Sequence, residues 1–590
     1  MKFFRDTWRV DPAAPDNRNA IVYLILLSAG FYCYAAIAFA QIMYNPIGYL
    51  DPYMYVDYAF RYGYADHLDA YYKVSRLPWN FTEFVFRQLF WPGPASFLIQ
   101  VFCTSIMSTS VYVGIRVLFG EKPALFVAVV SVFLPFFHAN AGADYHNTLA
   151  GPLYFLTFAL LMISLQRASN WWALACGAGA AATVHTDPLF VLAIPAVLAP
   201  ALVYARSRGM TWSALLRMAA VSIAGVAATT IVLGLINYAV GRQFLFFMPQ
   251  LGMVKSEGHN NPWWAPTTWN DLLESRQNGF LAAVFAISCF DLLRVALKSG
   301  IREAGNCAAA QLGFCITYLV AVLLQNSRET MLFPEYLGYQ FVAVALLPLA
   351  AVAARFSPAR PARFDSTIYL FVMPILCALS LAHCEEIQIF IGRRTIPPIV
   401  IVIVLVLGFY AISSAPNRLK VFAIPVLIWP LVNSALADSG DYGYDRCDTT
   451  PHLNRLMSTI AVMSDQLTGN PNGTFTWFDR DDRFSPSNKC YQDVSFQYFA
   501  VSSSEVIGGA LGGIFPVIAF DKLTKEQMRR AAGPASTVIV LYVDDTVSTR
   551  FKQVAAGLGF SANVRMHYLD RKSGIKFDFV SLTPAAGSKE

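Results

Sequence analysis

Thirteen apolar stretches of helix length constrain this chain more than any other feature. A helix needs about 20 apolar residues to cross the ~30 Å hydrocarbon layer of a bilayer. The stretches lie at residues 20–41, 96–118, 123–138, 148–166, 170–185, 188–205, 214–238, 279–297, 306–325, 336–354, 366–383, 396–413 and 419–436. Charged residues make up only 14% of the chain, against about 25% in typical soluble domains. The sequence therefore predicts a polytopic α-helical membrane protein with about 13 transmembrane helices.

Lysine and arginine alternate between the two sides of these stretches. The basic set of connecting segments is short and carries Lys2, Arg5, Arg9, Arg18, Arg116, Lys122, Arg167, Arg206, Arg208, Arg217, Lys298, Arg302, Arg355, Arg360, Arg363, Arg418 and Lys420. The other set contains the longer loops, whose basic residues are mixed with acidic and aromatic ones. Because short basic segments remain in the cytoplasm, the pattern predicts a cytoplasmic N-terminus. With an odd number of helices, the C-terminal residues lie on the exoplasmic side.

The apolar pattern ends after Leu436, which predicts two domains. Residues 1–439 form the transmembrane domain, with a first exoplasmic loop at 45–94 and a long exoplasmic loop at 238–278. Residues 440–590 are polar, and strand-like runs alternate there with a helical run. The strand-like runs are 475–478, 517–520, 538–543 and 575–580, and the helical run lies near 524–532. This segment predicts a soluble exoplasmic α/β domain.

Several functional classes are disfavoured by the residues themselves. The net charge of +6 comes from dispersed basic residues that form no run or stripe, so nucleic-acid binding is not expected. No CxxC or HExxH spacing is present, so a structural zinc site is not indicated. Cys447 and Cys490 are the two cysteines of the segment 440–590. In an oxidising compartment we expect them to form a disulfide.

Polar side chains concentrate in the exoplasmic loops. Asp51 directly follows the first apolar stretch, where the chain leaves the bilayer, and Asp57 lies six residues later. Further candidates for substrate contact in these loops are Arg61, Lys73, Arg76, Asp144, His146, His185, Asp187, Lys255, His259 and Arg328. Carboxylates and imidazoles at such positions are suited to acid-base chemistry, and the cations are suited to binding phosphate.

Each of these loops also has a structural explanation. Tyrosine and tryptophan at helix ends ordinarily anchor the chain at the membrane interface, which applies to Trp263, Trp264 and most tyrosines of the first loop. Asp187 precedes a proline, so it is also consistent with a simple turn. Asp51 could cap a following helix, and that role is compatible with catalysis.

The first loop resembles that of a known superfamily. The features that carry the resemblance are Asp51 after the first helix, a loop of some fifty residues with short interfacial helices, thirteen spans with the N-terminus inside, and an exoplasmic C-terminal domain. Together they resemble the GT-C glycosyltransferases. The nearest architectures are those of the lipid A aminoarabinose transferase and the protein O-mannosyltransferases. The segments 71–79 and 143–145 also look like the bacterial family-39-like glycosyltransferases. The predicted fold is therefore a GT-C-like membrane domain with an appended α/β domain.

The resemblance implies a polyprenyl-phosphate-sugar donor that is used on the exoplasmic side with inversion at the anomeric carbon. Asp51 matches the position of the family's general base, and Asp144 is a second candidate for a catalytic carboxylate. The acceptor would be a hydroxyl of a lipid, a glycan or a protein, and membrane lipids are the other partners. The implied localisation is an integral membrane protein, in a bacterial inner membrane, with a periplasmic or extracellular C-terminal domain.

The chain departs from the family pattern in two respects. Asp51 is followed by Pro52, so the first loop lacks a DxD or DD pair; no cofactor is expected, and a divalent metal is not indicated. A WWDYG-type signature is absent from the sequence, which argues against transfer of a preassembled glycan to asparagine.

Two other classes fit the same hydropathy pattern. A lipid or glycan transporter or flippase would show repeated halves, interrupted helices and ionisable residues near the bilayer midplane. A non-catalytic scaffold would use residues 440–590 as a binding module. The apolar stretches contain few ionisable residues, and Asp291 and Arg294 are the clearest pair within one of them. The concentration of polar and ionisable side chains on one side of the membrane favours an interfacial enzyme over a transporter and over a scaffold.

Overall fold

The structure is a computed structural model. It describes residues 17–39, 55, 75–90, 92–132, 146–249, 276–298, 301–327, 341, 343–356, 463, 466, 474–478, 525–532, 536–542, 545–569, 571 and 576–585.

Apolar helices form the N-terminal part of the described chain. They are α1 (Asn17–Phe39), α2 (Leu77–Leu89), α3 (Pro92–Phe119), α4 (Glu121–Val132), α5 (Asn147–Arg167), α6 (Asn170–Thr186), a 3-10 helix (Pro188–Ala193), α7 (Ile194–Ser207), α8 (Trp212–Ala239), α9 (Arg276–Lys298), α10 (Ile301–Ser327) and α11 (Leu346–Phe356). The first ten predicted stretches each overlap one of these helices. The last three, 366–383, 396–413 and 419–436, lie outside the described residues, so the count of thirteen remains a prediction.

Five of the described helical segments are long and apolar enough to cross a membrane. They are Ala95–Phe119, Asn147–Arg167, Pro188–Ser207, Trp212–Ala239 and Gly305–Leu323. The segment Trp212–Ala239 has the highest mean hydropathy, 2.2, and only 11% of its most apolar window is buried. Apolar side chains that are exposed along a long helix are suited to contact with lipid chains. These helices support the prediction of an integral membrane protein.

Helices α3, α5, α6 and α8 pack side by side in that order. Helices α5 and α6 are joined by a tight turn in which Ala168 adopts a left-handed conformation with φ 47°. The Ser169 N–H donates to the carbonyl of Ser164 at 3.1 Å and closes the end of α5. Because so short a turn forces the two helices to run antiparallel, the start of α5 and the end of α6 lie at the same end of the bundle.

The contact between α6 and α8 depends on glycine. A Cβ atom on Gly177 would overlap the carbonyl oxygen of Ser222, and one on Gly225 would overlap that of Leu174. The Ser222 hydroxyl also donates to the carbonyl of Ala173 at 2.9 Å. Small residues at such a crossing allow two membrane helices to approach until their backbones touch.

We expect Gly177→Ala to destabilise the protein by about 1–3 kcal/mol, the usual cost of overpacking. The added methyl group would meet backbone atoms, which cannot rotate away. The measurement is the Tm of the purified protein in detergent. Gly30→Ala in α1 is the matched control, because nothing lies within 4 Å of its added Cβ. An equal Tm for the two variants would contradict the close packing of α6 on α8.

Helices α7, α9, α10 and α11 form a second packed group. Helix α10 contacts each of the other three. It is kinked near its start, where Gly305 has a φ of 50° and a ψ of −123°. Glycine is suited to this position because a side chain would be strained there. The core of the bundle includes fully buried aromatic residues, among them Phe155, Phe158 and Phe314.

A four-stranded sheet occupies the C-terminal described residues. Its elements are β1 (Thr474–Phe478), α12 (Lys525–Ala531), β2 (Thr537–Tyr542), α13 (Asp545–Gly557), β3 (Phe560–Leu569) and β4 (Lys576–Pro584). The strand order is β1-β2-β4-β3, with β1 parallel to β2 and the other two pairs antiparallel. Val538, Val540 and Val580 lie in one hydrophobic cluster with residues of α12 and α13.

Three of the predicted strand runs and the predicted helix near 524–532 overlap elements of this sheet. The run 517–520 lies outside the described residues, as do Cys447 and Cys490. Strand β3 was not predicted. The extent of the domain and its exoplasmic side stay predictions.

A bulge in β3 determines what its last residues contact. The register shifts between Val564 and Met566, so Arg565 is the extra residue of the bulge, and His567 then pairs with Asp578. The His567 Nδ1 lies 2.7 Å from an Asp578 carboxylate oxygen. Tyr542 donates to the same carboxylate at 3.1 Å. Burial, and then the charge of Asp578, raise the pKa of the Tyr542 phenol.

Candidate functional site

Two helix ends bring a buried acid and a buried histidine together. His146 is the residue before α5, and Asp187 is the residue after α6. Because α5 and α6 form an antiparallel hairpin, these two positions lie at the same end of the bundle. The distance from His146 Nε2 to Asp187 Oδ2 is 3.9 Å, and their side chains are 1% and 2% exposed. This distance is too long for a hydrogen bond, but it is an ion-pair distance when the imidazole is protonated.

Asp187 has a second contact that fixes its carboxylate. Its Oδ1 accepts a hydrogen bond from the Leu189 N–H at 3.0 Å, which caps the 3-10 helix that begins at Pro188. Proline is suited to this first position because its missing N–H is not needed there. The turn explanation of Asp187 is therefore correct, and the same side chain also presents its other oxygen to His146.

Tyr55 connects His146 to the first loop. Its ring lies 5.4 Å from the imidazole of His146, centroid to centroid, with a tilt of 46°. The guanidinium carbon of Arg76 lies 5.7 Å from the centroid of the same ring. This distance allows a cation–π contact. Tyr55 is 0% exposed, so this tyrosine is not an interfacial anchor. We call Tyr55, Arg76, His146 and Asp187 the Tyr55 cluster.

Further polar groups are buried at the start of α5. Asn147 and Thr148 follow His146 and are 7% and 0% exposed. The Asn147 amide and the Thr148 hydroxyl have no hydrogen-bond partner within the described part of the chain. His146 makes no side-chain cap to the helix. The first turn of α5 therefore presents its backbone N–H groups and the positive end of its dipole next to the Tyr55 cluster, an arrangement that favours an anion.

Helix α2 presents buried charged groups to the bundle. Glu83 and Arg87 form an ion pair at 2.8 Å, with side chains that are 0% and 2% exposed. Arg87 also donates to the Ser96 hydroxyl at 3.2 Å, which connects α2 to α3. Arg76 directly precedes α2, so this network fixes the helix from which Arg76 projects. Sequence reasoning missed this pair. The i,i+4 spacing of Glu and Arg was the available signal.

His185 lies only two residues before Asp187 but contacts different elements. Its Nε2 lies 2.9 Å from the Thr230 hydroxyl on α8. Its ring is 4.8 Å from that of Phe246 and 6.0 Å from that of Phe247. Residues two apart on a helix point to nearly opposite sides, which accounts for the difference. His185 thus holds the start of the long loop against α6 and α8.

The structure brings together Arg76, His146 and Asp187 from the set of predicted site residues, and it adds Tyr55. The predicted residues that lie outside the described residues are Asp51, Asp57, Arg61, Lys73, Asp144, Lys255, His259 and Arg328. Within the described ranges, no group of three His, Cys, Asp or Glu side chains is placed to hold a metal ion.

No protein-family model and no curated protein matches this chain. Several solved structures are similar to it. ArnT from Cupriavidus metallidurans bound to undecaprenyl phosphate is 13% identical, with a TM-score of 0.48 over 96% of this chain and 98% of that chain. The apo state of the same protein is 14% identical, with a TM-score of 0.46 over 90% and 93%. The apo oligosaccharyltransferase of Archaeoglobus fulgidus is 11% identical, with a TM-score of 0.38 over 100% and 76%.

Proposed function

We propose that this chain is an inverting glycosyltransferase of the membrane. It would move a sugar from a polyprenyl-phosphate donor to an acceptor hydroxyl on the exoplasmic side. The acceptor class is a lipid, a glycan or a protein. The proposal rests on the resemblance of the first loop to the GT-C enzymes and on the chemistry of the Tyr55 cluster.

The observation that carries the proposal is the convergence of separate segments at one end of the bundle. Tyr55 comes from the segment after α1, Arg76 from the start of α2, His146 from the start of α5 and Asp187 from the end of α6. Three of these four side chains are at most 2% exposed. A buried acid, an imidazole and a guanidinium at one place are the kinds of group that catalytic sites bring together.

Chain connectivity supports a role for both proposed catalytic acids at this place. Asp144 lies two residues before His146, so its Cα is within about 7 Å of that of His146. Asp51 lies four residues before Tyr55, which limits the separation of their Cα atoms to about 14 Å. Both proposed acids therefore belong to chain segments that lead directly into residues of the Tyr55 cluster.

The electrostatics suit a phosphate leaving group. A sugar phosphate carries negative charge that grows on the departing oxygen as the glycosidic bond breaks. The Arg76 guanidinium and the first turn of α5 supply positive potential at the same end of the bundle. In a site with little water, such preorganised groups stabilise the transition state strongly.

The proposed step uses Asp51 as the general base. Its carboxylate takes the proton of the acceptor hydroxyl while the acceptor oxygen bonds to the anomeric carbon. The bond between that carbon and the phosphate oxygen breaks on the opposite face, which inverts the configuration. Polyprenyl phosphate leaves with the electron pair. His146 and Asp187 would orient the substrate or Asp144, and Asp144 is the alternative base.

The remaining candidates take supporting roles in this proposal. Asp57 would orient the first loop, and His185 would hold the long loop through its contacts with Thr230 and Phe246. Further phosphate or sugar contacts are proposed for Arg61, Lys73, Lys255, His259 and Arg328. The C-terminal α/β domain would lie on the exoplasmic side, with Cys447 bridged to Cys490.

The direct test is transfer from a defined donor. Purified protein is incubated with radiolabelled polyprenyl-phosphate sugars and a membrane extract as the acceptor source, and products are separated by thin-layer chromatography. We expect label to leave the polyprenyl lipid and appear in a new compound with inverted anomeric configuration. If the label instead crosses a vesicle membrane while still attached to its lipid, the protein is a transporter, and the proposal is wrong.

A further inference from the structure

An aromatic side chain shortly after α8 lies between two helices of the site. Phe246 is 4% exposed. It packs in one apolar cluster with Leu77, a buried residue that directly follows Arg76 at the start of α2. The ring of Phe246 is also 4.8 Å, centroid to centroid, from that of His185 on α6. Phe246 therefore contacts both the helix that begins next to Arg76 and the helix that ends next to Asp187.

A tight turn after α8 fixes the chain that carries Phe246. The side-chain amide of the buried Asn237 donates to the carbonyl of Gln243 at 2.6 Å. Gly241 lies within this turn with a φ of 82°, a conformation that glycine adopts without strain. The turn brings Phe246 back onto apolar side chains near the end of α8, which belong to the same cluster. Phe246 is therefore held by α8 and by the turn before it contacts the other two helices.

The contact with Leu77 bears directly on Arg76. Leu77 and Phe84 are seven residues apart and so lie on one face of α2, and both belong to the apolar cluster around Phe246. Arg76 is the residue before this helix, and its guanidinium lies over the ring of Tyr55. Because neighbouring Cα atoms are fixed at about 3.8 Å, a contact that holds Leu77 also limits where the backbone of Arg76 can lie.

We propose that Phe246 is a positioning residue for Arg76. It holds the start of α2 against α6 and α8, and it thereby places the Arg76 guanidinium in the Tyr55 cluster. The inference rests on the proposed function, in which Arg76 binds the phosphate of the lipid donor. A guanidinium binds phosphate best when its donors are already aligned with the oxygens, and a small displacement of such a group is costly. Phe246 thus affects donor binding through Arg76 and does not itself contact the phosphate.

The test measures the binding of polyprenyl phosphate, without a sugar, to the purified full-length protein in neutral detergent. Phe246→Ala should weaken this binding about tenfold, at the low end of what a hydrogen bond to a charged group contributes. Binding of polyprenol, which lacks the phosphate, should not change. Phe246→Leu should keep most of the affinity, because leucine still packs against Leu77. Phe244→Ala is the matched control, since Phe244 lies in the same turn but is 41% exposed and outside the apolar cluster.

A double-mutant cycle separates positioning from general destabilisation. If Phe246 acts through Arg76, Phe246→Ala should cause little further loss of binding in a protein that already carries Arg76→Ala. Additive losses would overturn the proposal, and so would wild-type affinity in a folded Phe246→Ala protein. Phe246→Val, a smaller truncation, replaces it in the cycle if the Tm shows that Phe246→Ala is unfolded. Unchanged binding in Arg76→Ala alone would instead reject Arg76 as a phosphate ligand, and the role of Phe246 with it.

Discussion

Replacing Asp51 with asparagine is expected to lower turnover about 10²–10⁴-fold, the typical loss when a general base is removed. The substitution is nearly isosteric, so folding and donor binding should survive. The amide cannot accept the proton of the acceptor hydroxyl. Turnover is measured with saturating polyprenyl-phosphate sugar, so that the change reports on the chemical step. A parallel measurement of Tm confirms that the variant is folded.

Asp57→Asn is the matched control, since Asp57 lies in the same loop and is proposed only to orient it. We expect a much smaller loss for this variant. If a folded Asp51→Asn protein turned over at nearly the normal rate, the base would have to be Asp144 or Asp187. The corresponding substitutions in those two acids would then identify it, and no loss in any of the three would reject the glycosyltransferase proposal.

Removal of the Arg76 guanidinium is expected to have the second largest effect. Arg76→Ala should raise the apparent KM for the lipid donor about 10- to 100-fold, because a hydrogen bond to a charged group contributes about 1.5–3 kcal/mol. The defect is in donor binding, whereas Asp51→Asn affects turnover. Initial rates over a range of donor concentrations separate the two parameters.

Arg208→Ala provides a close control for Arg76. The Arg208 guanidinium also lies over a tyrosine, 5.5 Å from the ring of Tyr204, but it is on the predicted cytoplasmic side. This variant should bind the donor normally. Tyr55→Phe should also bind normally because the ring remains, whereas Tyr55→Leu should resemble Arg76→Ala. An unchanged donor KM in Arg76→Ala would remove Arg76 from the phosphate site.

The sequence predicted the apolar helices well because their physical cause is local. A run of apolar residues near the length of a membrane span has few stable structures other than a transmembrane helix. Helices α5 and α8 accordingly begin and end within two residues of their predicted bounds. The amphipathic helix α2 was expected only as one of the short interfacial helices of the first loop, and its bounds were not predicted, because its 13 residues mix polar and apolar side chains. Strand β3 was missed for a similar reason, since Ser561, Asn563 and Arg565 interrupt its apolar pattern.

The candidate site was predictable only in part. Arg76, His146 and Asp187 were candidates because ionisable residues in loops between apolar stretches are conspicuous. The burial of Tyr55 between Arg76 and His146 was not predictable, because a tyrosine near a helix end is ordinarily interpreted as an interfacial anchor. Its burial depends on contacts among residues 55, 76 and 146, which are far apart in sequence. The same limit applies to the packing of Phe246 against Leu77.

The hairpin of α5 and α6 also bears on the order in which the protein is made. All four residues of the Tyr55 cluster fall between positions 55 and 187 of a chain of 590 residues. Because synthesis runs from the N-terminus and early segments can assemble first, the cluster can form once the 3-10 helix after Asp187 has entered the bilayer. Everything translated later, including the sheet, would then be added around a site that already exists.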